Sequence, residues 1–302
     1  MYNIQSYYEA ETLAEALELL VQKPSLKVIA GGTDLLVQLH HGRIPQVDLL
    51  SIRKLRELAG IQLLTAGEIV LGSLVTFSDL VNHQLIKQHI PVLAEAALAM
   101  GGPQIRHIAT LGGNICNGAT SADSAPALFA LNAQLKLTSR SGERLVPIRE
   151  FYLGPGKVDI RAGEILAAIV LNPEDYRGFS GEYIKFAMRQ AMDIATLGVA
   201  VLCRFTAGQV LEDLRIALGV AGPTPLRCSA AEDFARGKVL SAENIAAICE
   251  LTVEASRART SWRASKEYRE HLIKELTQRA LTSARAKAVK QVSLDAGGGE
   301  IV

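Results

Sequence analysis

The chain has 302 residues, 49% of them apolar, with 32 lysines and arginines against 31 aspartates and glutamates. That length carries an expectation of roughly two domains with ample core, and the near-neutral balance offers no basic field to draw nucleic acid or an anionic membrane. Four scattered cysteines, Cys116, Cys203, Cys228 and Cys249, form no C-x-x-C pair and have no histidine at ligand spacing, so disulfides and metal sites are not expected.

The opening MYNIQSYYEAETL lacks the cationic start and apolar stretch of a secretory signal, which points to a cytoplasmic protein. A strand is expected from Tyr2 to Tyr8, and Thr12-Leu-Ala-Glu15 reads as a capping box opening a helix to about Gln22. Lys27 to Ala30 reads as a short buried strand. It runs into Gly31-Gly32-Thr33-Asp34, after which Leu35, Leu36 and Leu39 have helical spacing and Gly42 supplies a stop. Val47 to Ile52 returns as a strand, closing a compact α/β piece of about 55 residues.

Ile61 to Gly72 reads as a hairpin, followed by helical stretches from Thr76 to about His89 and from Pro91 to Met100. Gly101-Gly102-Pro103 and Thr110-Leu111-Gly112-Gly113-Asn114 bracket a stretch predicted as irregular, with the next helix from Ala122 to Leu131. A hairpin turning at Ser141-Gly142 and a strand from Glu164 to Leu171 follow. The segment Asn172 to Gly181 is the expected domain boundary. Beyond it, Glu182 to Met188, Thr196 to Thr206 and Val210 to Val220 suggest an antiparallel sheet, the last two turning at Ala207-Gly208, and two or three helices close the chain. The longest nearly apolar run, Ile194 to Cys203, is far short of the roughly 20 residues needed to cross a bilayer.

Common catalytic signatures fail on inspection. Gly113 and Gly118 have Walker spacing but Ala119 stands where lysine is required, and Gly154 and Gly156 begin a dinucleotide pattern that ends in Asp159. There is no G-x-S-x-G elbow and no histidine array. What remains is the pair of Gly-Gly turns. Glycine lets the backbone take positive φ and approach a ligand closely, and a turn that opens a helix, as at Gly31 to Asp34, aims amides and the helix dipole at an anion. Hydrogen bonds to charged oxygens contribute roughly 1.5–3 kcal/mol each, so several amides can hold a pyrophosphate without lysine. Either turn alone can equally be a tight connection between elements; two in separate subdomains favour a ligand. Gly32 and Gly113 are expected to lie too close to that ligand to tolerate side chains.

The stretches Ala30 to Leu36 and Ala109 to Asn117, with Gly102 to Arg106, Ser121 to Ser124, Gly154 to Lys157, Lys185 to Asp193 and Ser261 to Lys266, resemble the FAD-binding subunits of molybdenum hydroxylases of the xanthine dehydrogenase type. The resemblance covers nearly the whole chain. It implies an α+β fold of the vanillyl-alcohol-oxidase and carbon monoxide dehydrogenase flavoprotein type. The FAD-binding domain would span 1–175, with subdomains of about 1–55 and 56–175. A C-terminal domain with a three-stranded sheet and helices would span 176–290, and 291–302 would be a disordered tail.

The resemblance also implies the site. Lys27, Val28, Ile29, Ala30, Gly31, Gly32, Thr33 and Asp34 would wrap the FAD diphosphate, and Ala109, Thr110, Leu111, Gly112, Gly113 and Asn114 would close on it. Asp123 would bond the ribityl chain or cap its helix, Leu166 would offer a backbone contact, and Lys185 would stand near the isoalloxazine as a cation, or else be a solvated strand lysine. Met100 replaces a stacking aromatic and Met192 an acidic residue of the animal enzymes. FAD is the only cofactor implied, held non-covalently. The partners implied are a [2Fe-2S] subunit and a molybdenum-cofactor subunit, with NAD as acceptor and no catalytic or metal-binding residue in this chain. A stand-alone flavin oxidoreductase and a non-redox assembly module remain the alternatives.

Overall fold

The computed structural model describes residues 3–44, 46–207 and 209–297. β1 (Ile4–Glu9) leads through Thr12 into α1 (Leu13–Gln22), which buries Ala16, Leu17 and Leu20 along one face. Thr12 caps α1 by accepting from the Glu15 amide, but the expected box is not reciprocal, because the Glu15 carboxylate reaches past Thr12 to the Glu11 amide at 2.8 Å. With β2 (Lys27–Ile29), α2 (Leu35–His40) and β3 (Val47–Ser51) the chain forms a parallel sheet in the order β1-β3-β2. β2 is an exposed edge strand and not the buried one expected, since β3 takes the centre with Leu49 and Leu50 enclosed.

A 3-10 turn (Arg56–Leu58) precedes the expected hairpin of β4 (Ile61–Leu63) and β5 (Ile69–Gly72). The next helical stretch breaks at His83 into α3 (Phe77–Asn82), opened by a reciprocal Thr76–Asp79 capping box, and α4 (Gln84–His89). Four helices follow: α5 (Pro91–Leu98), α6 (Pro103–Arg106), α7 (Leu111–Cys116) and α8 (Ser124–Ala130). Neither α6 nor α7 was expected. Gly112 and Gly113 each weaken a helix by about 1 kcal/mol relative to alanine, which hides α7 from the sequence. Burial of Leu111 and Ile115 and the Thr110 cap form it nonetheless.

β6 (Gln134–Ser139), β7 (Gly142–Pro147), α9 (Ile148–Phe151), the small hairpin of β8 (Tyr152–Gly154) and β9 (Lys157–Val158), and β10 (Ile165–Leu171) complete this unit. Its sheet is antiparallel in the order β4-β5-β10-β6-β7. Central β10 serves two cores. Ile165 and Ala167 pack with Leu17, Leu20 and Leu50 of the N-terminal unit, while Leu166, Ile169 and Leu171 face the second core. A bulge after Leu166, between partners Leu137 and Lys136, interrupts the ladder there.

After α10 (Pro173–Tyr176), the strands β11 (Ser180–Phe186), β12 (Leu197–Phe205) and β13 (Leu211–Gly219) make the expected three-stranded antiparallel sheet, to which the two-residue β14 (Leu226–Arg227) adds an edge. Helices α11 (Ser229–Ala235), α12 (Ala242–Ala255) and α13 (Lys266–Gly297) cover one face, while Ala200, Leu202 and Ala217 on the other pack into the second core. α13 continues through residues 291–297 of the expected tail; Gly208 of the expected turn and residues 298–302 lie outside the described residues. Among the described residues no helix is long and apolar enough to cross a membrane.

Buried polar groups fasten this sheet to the second unit. Asn132, at φ 47°, donates to Asp175 at 2.8 Å and accepts from Arg227 at 2.7 Å. Asp175 also accepts from Arg215 at 3.0 Å, and Arg227 pairs with Glu232 at 2.7 Å. Removing one member of a buried ion pair typically costs about 3–5 kcal/mol because the other charge is stranded, so Asp175→Ala should lower unfolding stability by that order in urea titration. A loss below about 1 kcal/mol, the range of a surface pair, would show that this junction is unimportant.

Arg144 joins β7 to the entry of β10, donating to Glu164 and to Asp159 at 2.7 Å each. These bonds hold both carboxyls below their usual range. Depressed folded-state values mean stability that is present above the unfolded carboxylate range and is lost as pH falls through the folded values. Arg144→Met should therefore flatten the acid limb of a stability–pH profile, an outcome that thermal midpoints measured from neutral pH downward will check.

Candidate functional site

The two glycine turns meet at Gly31. A Cβ on this residue would stand 2.0 Å from the Ile108 carbonyl oxygen and 3.2 Å from Ala109 Cα, so only glycine lets the turn after β2 lie against the segment entering α7. Gly32 follows at φ +73°, crowded by Leu36 and Ile29 at 3.1 and 3.2 Å. A left-handed φ costs other residues about 1–2 kcal/mol. Beyond the edge residues Lys27, Val28 and Ile29 and the linking Ala30, the amides of Gly32, Thr33 and Asp34 donate to no acceptor among the described residues. They stand where the chain enters α2.

The second turn is built differently from the expectation of free amides. Leu111 donates to the Val75 carbonyl at 2.8 Å, Gly112 to the Ser73 carbonyl at 2.9 Å and Gly113 to Thr110 Oγ1 at 3.1 Å. The crowding is also internal: a Cβ on Gly112 would stand 2.5 Å from Ser73 Cβ, and one on Gly113 would meet Thr110 Oγ1 at 2.9 Å. Backbone blocks a side chain at Gly31 and Gly112, whereas Gly32 and Gly113 meet only side-chain atoms of the protein. What the second turn can offer a ligand is the Thr110 hydroxyl proton and the Asn114 side-chain NH2, whose carbonyl end accepts from Ser124 at 2.7 Å. Ser73 Oγ is buried beside Gly112 without a partner. Leu166 is buried at the bulge, and the neighbouring Ala167 carbonyl accepts from the Ser73 amide at 3.0 Å.

Asp123 and Lys185 find each other. Lys185 Nζ donates to Asp123 Oδ2 at 2.9 Å, to the Ala99 carbonyl at 3.0 Å and to the Asp193 carbonyl at 2.8 Å. Lys185 is no solvated strand lysine, for its side chain and that of Asp123 are 8% and 7% exposed. Asp123 stands at the cap position of α8 but makes no capping bond; its second oxygen accepts from the Tyr183 hydroxyl at 3.0 Å. Burial raises the Asp123 carboxyl above its usual range, with Lys185 and then Tyr183 opposing. Arg106 fixes the neighbouring segment by donating to the carbonyls of Leu98 and Met100 at 3.1 and 3.0 Å. Met192, at φ 55°, donates its amide to Gly101 at 3.2 Å and lays its sulfur over Gly102.

The structure therefore gathers the first loop, the second loop, the Leu166 bulge and the Asp123–Lys185 pair into one connected arrangement. Sequence reasoning missed Tyr183, Ser73 and Ile108. A strand tyrosine reads as core, and neither a lone serine nor an isoleucine carbonyl leaves a signal.

The profile of the FAD binding domain in molybdopterin dehydrogenase matches residues 2–173, and that of the carbon monoxide dehydrogenase flavoprotein C-terminal domain matches 182–284. The chain belongs to this family of FAD-binding subunits of molybdenum hydroxylases. It is 45% identical to a xanthine dehydrogenase FAD-binding subunit from Escherichia coli, over 95% of this chain and 98% of that one. The glyceraldehyde dehydrogenase medium chain of Sulfolobus acidocaldarius is 30% identical, over 91% of this chain and 96% of the relative. The solved carbon monoxide dehydrogenase from Hydrogenophaga pseudoflava superposes with a TM-score of 0.89 at 28% identity, over 95% of this chain and 99% of that one.

The residues present fit FAD. The cradle at Gly31 is one that a Cβ would fill, and the open amides of Gly32 to Asp34 with the Thr110 hydroxyl are a donor set suited to a diphosphate. Gly31→Ala should push the two loops apart and lower FAD retention about tenfold or more, the loss of roughly one charge-assisted hydrogen bond, while circular dichroism still reports a folded chain. Gly154→Ala is the control, since nothing lies within 4 Å of a Cβ there. Full flavin occupancy in Gly31→Ala would mean that the loop junction does not shape the site.

Proposed function

We propose that this flavoprotein is the electron-transfer subunit of a xanthine dehydrogenase-type enzyme of the cytoplasm. In this reading electrons arrive from the [2Fe-2S] centres of one partner subunit, and a second partner carries the molybdenum cofactor and the purine site. NAD is the acceptor. The observation that carries the reading is the junction of two glycine loops with unspent amides on one side and a hydroxyl donor on the other. The near full-length similarity to a xanthine dehydrogenase FAD-binding subunit supports the substrate class.

Lys27, Val28, Ile29, Ala30, Gly31, Gly32, Thr33 and Asp34 line the diphosphate from one side. Ala109, Thr110, Leu111, Gly112, Gly113 and Asn114 close it from the other, with the Leu166 backbone alongside. Bound FAD supplies the exchange between single electrons and a hydride equivalent. The chain's own residues hold and orient it. Asp123 keeps lone pairs available for a ribityl hydroxyl while Tyr183 and Lys185 fix its position. Lys185 acts as half of a neutral pair, not as a lone cation, because its charge is matched by Asp123 and its three hydrogens are already donated. Cys116 follows α7's glycines, yet burial pushes its thiol up to about 12, so it stays protonated and unsuited to a flavin linkage.

Alone, the purified chain should transfer electrons from a reduced nicotinamide to a dye weakly and should leave xanthine and hypoxanthine untouched. Addition of the iron–sulfur and molybdenum subunits should restore purine-dependent reduction of an acceptor. Steady-state purine oxidation by the chain alone would overturn this division of labour.

A further inference from the structure

The segment between α12 and α13 carries charge that the chain does not balance. Arg257, Arg259, Arg263 and Arg269 all fall within thirteen residues, and among the described residues none of the four makes an ion pair. Other arginines of the C-terminal unit do form ion pairs, as Arg215 does with Asp175 and Arg227 with Glu232, although Arg285 donates only to the Leu240 carbonyl. Arg269 is the buried member, 3% exposed, and donates to the carbonyls of Thr196 and Val220 at 2.5 and 3.4 Å and to Ser261 Oγ at 2.7 Å. Its Nε, the Nε of Arg263 and Thr196 Oγ1 are buried without partners. Burial, then the like charges of Arg259 and Arg263, works against its charge. Glu267 and Glu270 lie in the same segment, yet neither comes within ion-pair distance of these arginines, which leaves the exposed ones open to an outside carboxylate.

The surface over this cluster is apolar and aromatic. Trp262, the only tryptophan of the chain, is 78% exposed with the Arg263 guanidinium 4.1 Å from its ring centre. Tyr268 is 45% exposed and meets Phe186 edge-on, and Ile194 is 49% exposed. Arginine beside exposed tryptophan and tyrosine is the composition of interface hot spots. The patch also lies at the end of the C-terminal sheet that carries Lys185. Thr196, held by Arg269, bonds back to Phe186, the neighbour of Lys185, and Val220 bonds to the Thr120 carbonyl, three residues before Asp123. Val220 does so at φ 64°, a conformation that a β-branched residue adopts only under constraint.

We propose that the Arg257–Tyr268 surface is the docking face for an acidic patch on the iron–sulfur partner subunit. This rests on the proposed function, and it adds the place and the chemistry of the contact. The position suits it, since a subunit that feeds the flavin must sit beside it, and the arginines complement an acidic face and not a basic one.

The test uses the full chain co-expressed with both partner subunits, as wild type, as Trp262→Ala and as the double charge reversal Arg259→Glu with Arg263→Glu. Arg259 and Trp262 are exposed and Arg263 is half-buried on the same loop, and flavin absorbance should stay at the wild-type level. Both variants should lose co-purification of the iron–sulfur subunit, with affinity weakened about tenfold or more, and salt should weaken the wild-type complex but not the reversed one. Variants that assemble as wild type, with the same salt response, overturn the docking face and leave the proposed function intact. Intact assembly with weakened binding of reduced nicotinamide also overturns it, by making the cluster a nucleotide site. A wild-type chain that co-purifies with neither partner overturns both.

Discussion

Much of the architecture around the candidate site converges on one buried ammonium. Lys185 extends from the C-terminal sheet and spends its three hydrogens on Asp123 ahead of α8, on the carbonyl of Ala99 after α5 and on the carbonyl of Asp193 in the following loop. A surface ion pair of this kind contributes about 0–1 kcal/mol, but a buried one leaves a stranded charge if either partner goes. That asymmetry makes the clasp a positional constraint more than a source of stability. The Tyr183 hydroxyl, two residues upstream on the same strand, takes the other carboxylate oxygen and so fixes the rotamer of Asp123.

The two glycine turns look alike in one dimension and divide the work in three. In the first, positive φ at Gly32 and the missing side chain at Gly31 leave a run of amides open at the entrance to α2. In the second, the amides are consumed in holding α7 against Ser73 and Val75, and the glycines serve close packing. One turn presents donors while the other supplies the wall they work against and a hydroxyl. Central β10 makes this possible, because alternate residues belong to the N-terminal core and to the second core and so fix the two units against each other.

Several site features were legible because they rest on residue identity. Gly31-Gly32-Thr33-Asp34 announces a turn into a helix whatever surrounds it, and Asp123 and Lys185 were marked by the family motifs that contain them. The pairing of those two charges was not legible, since 62 residues separate them and only the packing of β11 on α5 and of its neighbour β12 on α8 brings them together. Tyr183 was invisible for the same reason. α7 was hidden by local propensity, and β2 read as buried because three apolar residues in a row do not reveal whether a strand will be central or at an edge.

Local rules settled most element positions, since capping, glycine conformation and period-two alternation act over a few residues, whereas the α+β class came with the resemblance. Motif order carried the family. Tertiary structure alone decided which amides stay unspent, which charges neutralise each other and which remain unbalanced, as Asp123 is matched by Lys185 while the four arginines from Arg257 to Arg269 are not. The physical reason is that desolvation and hydrogen-bond satisfaction are properties of an environment assembled from distant segments, and no single segment carries them.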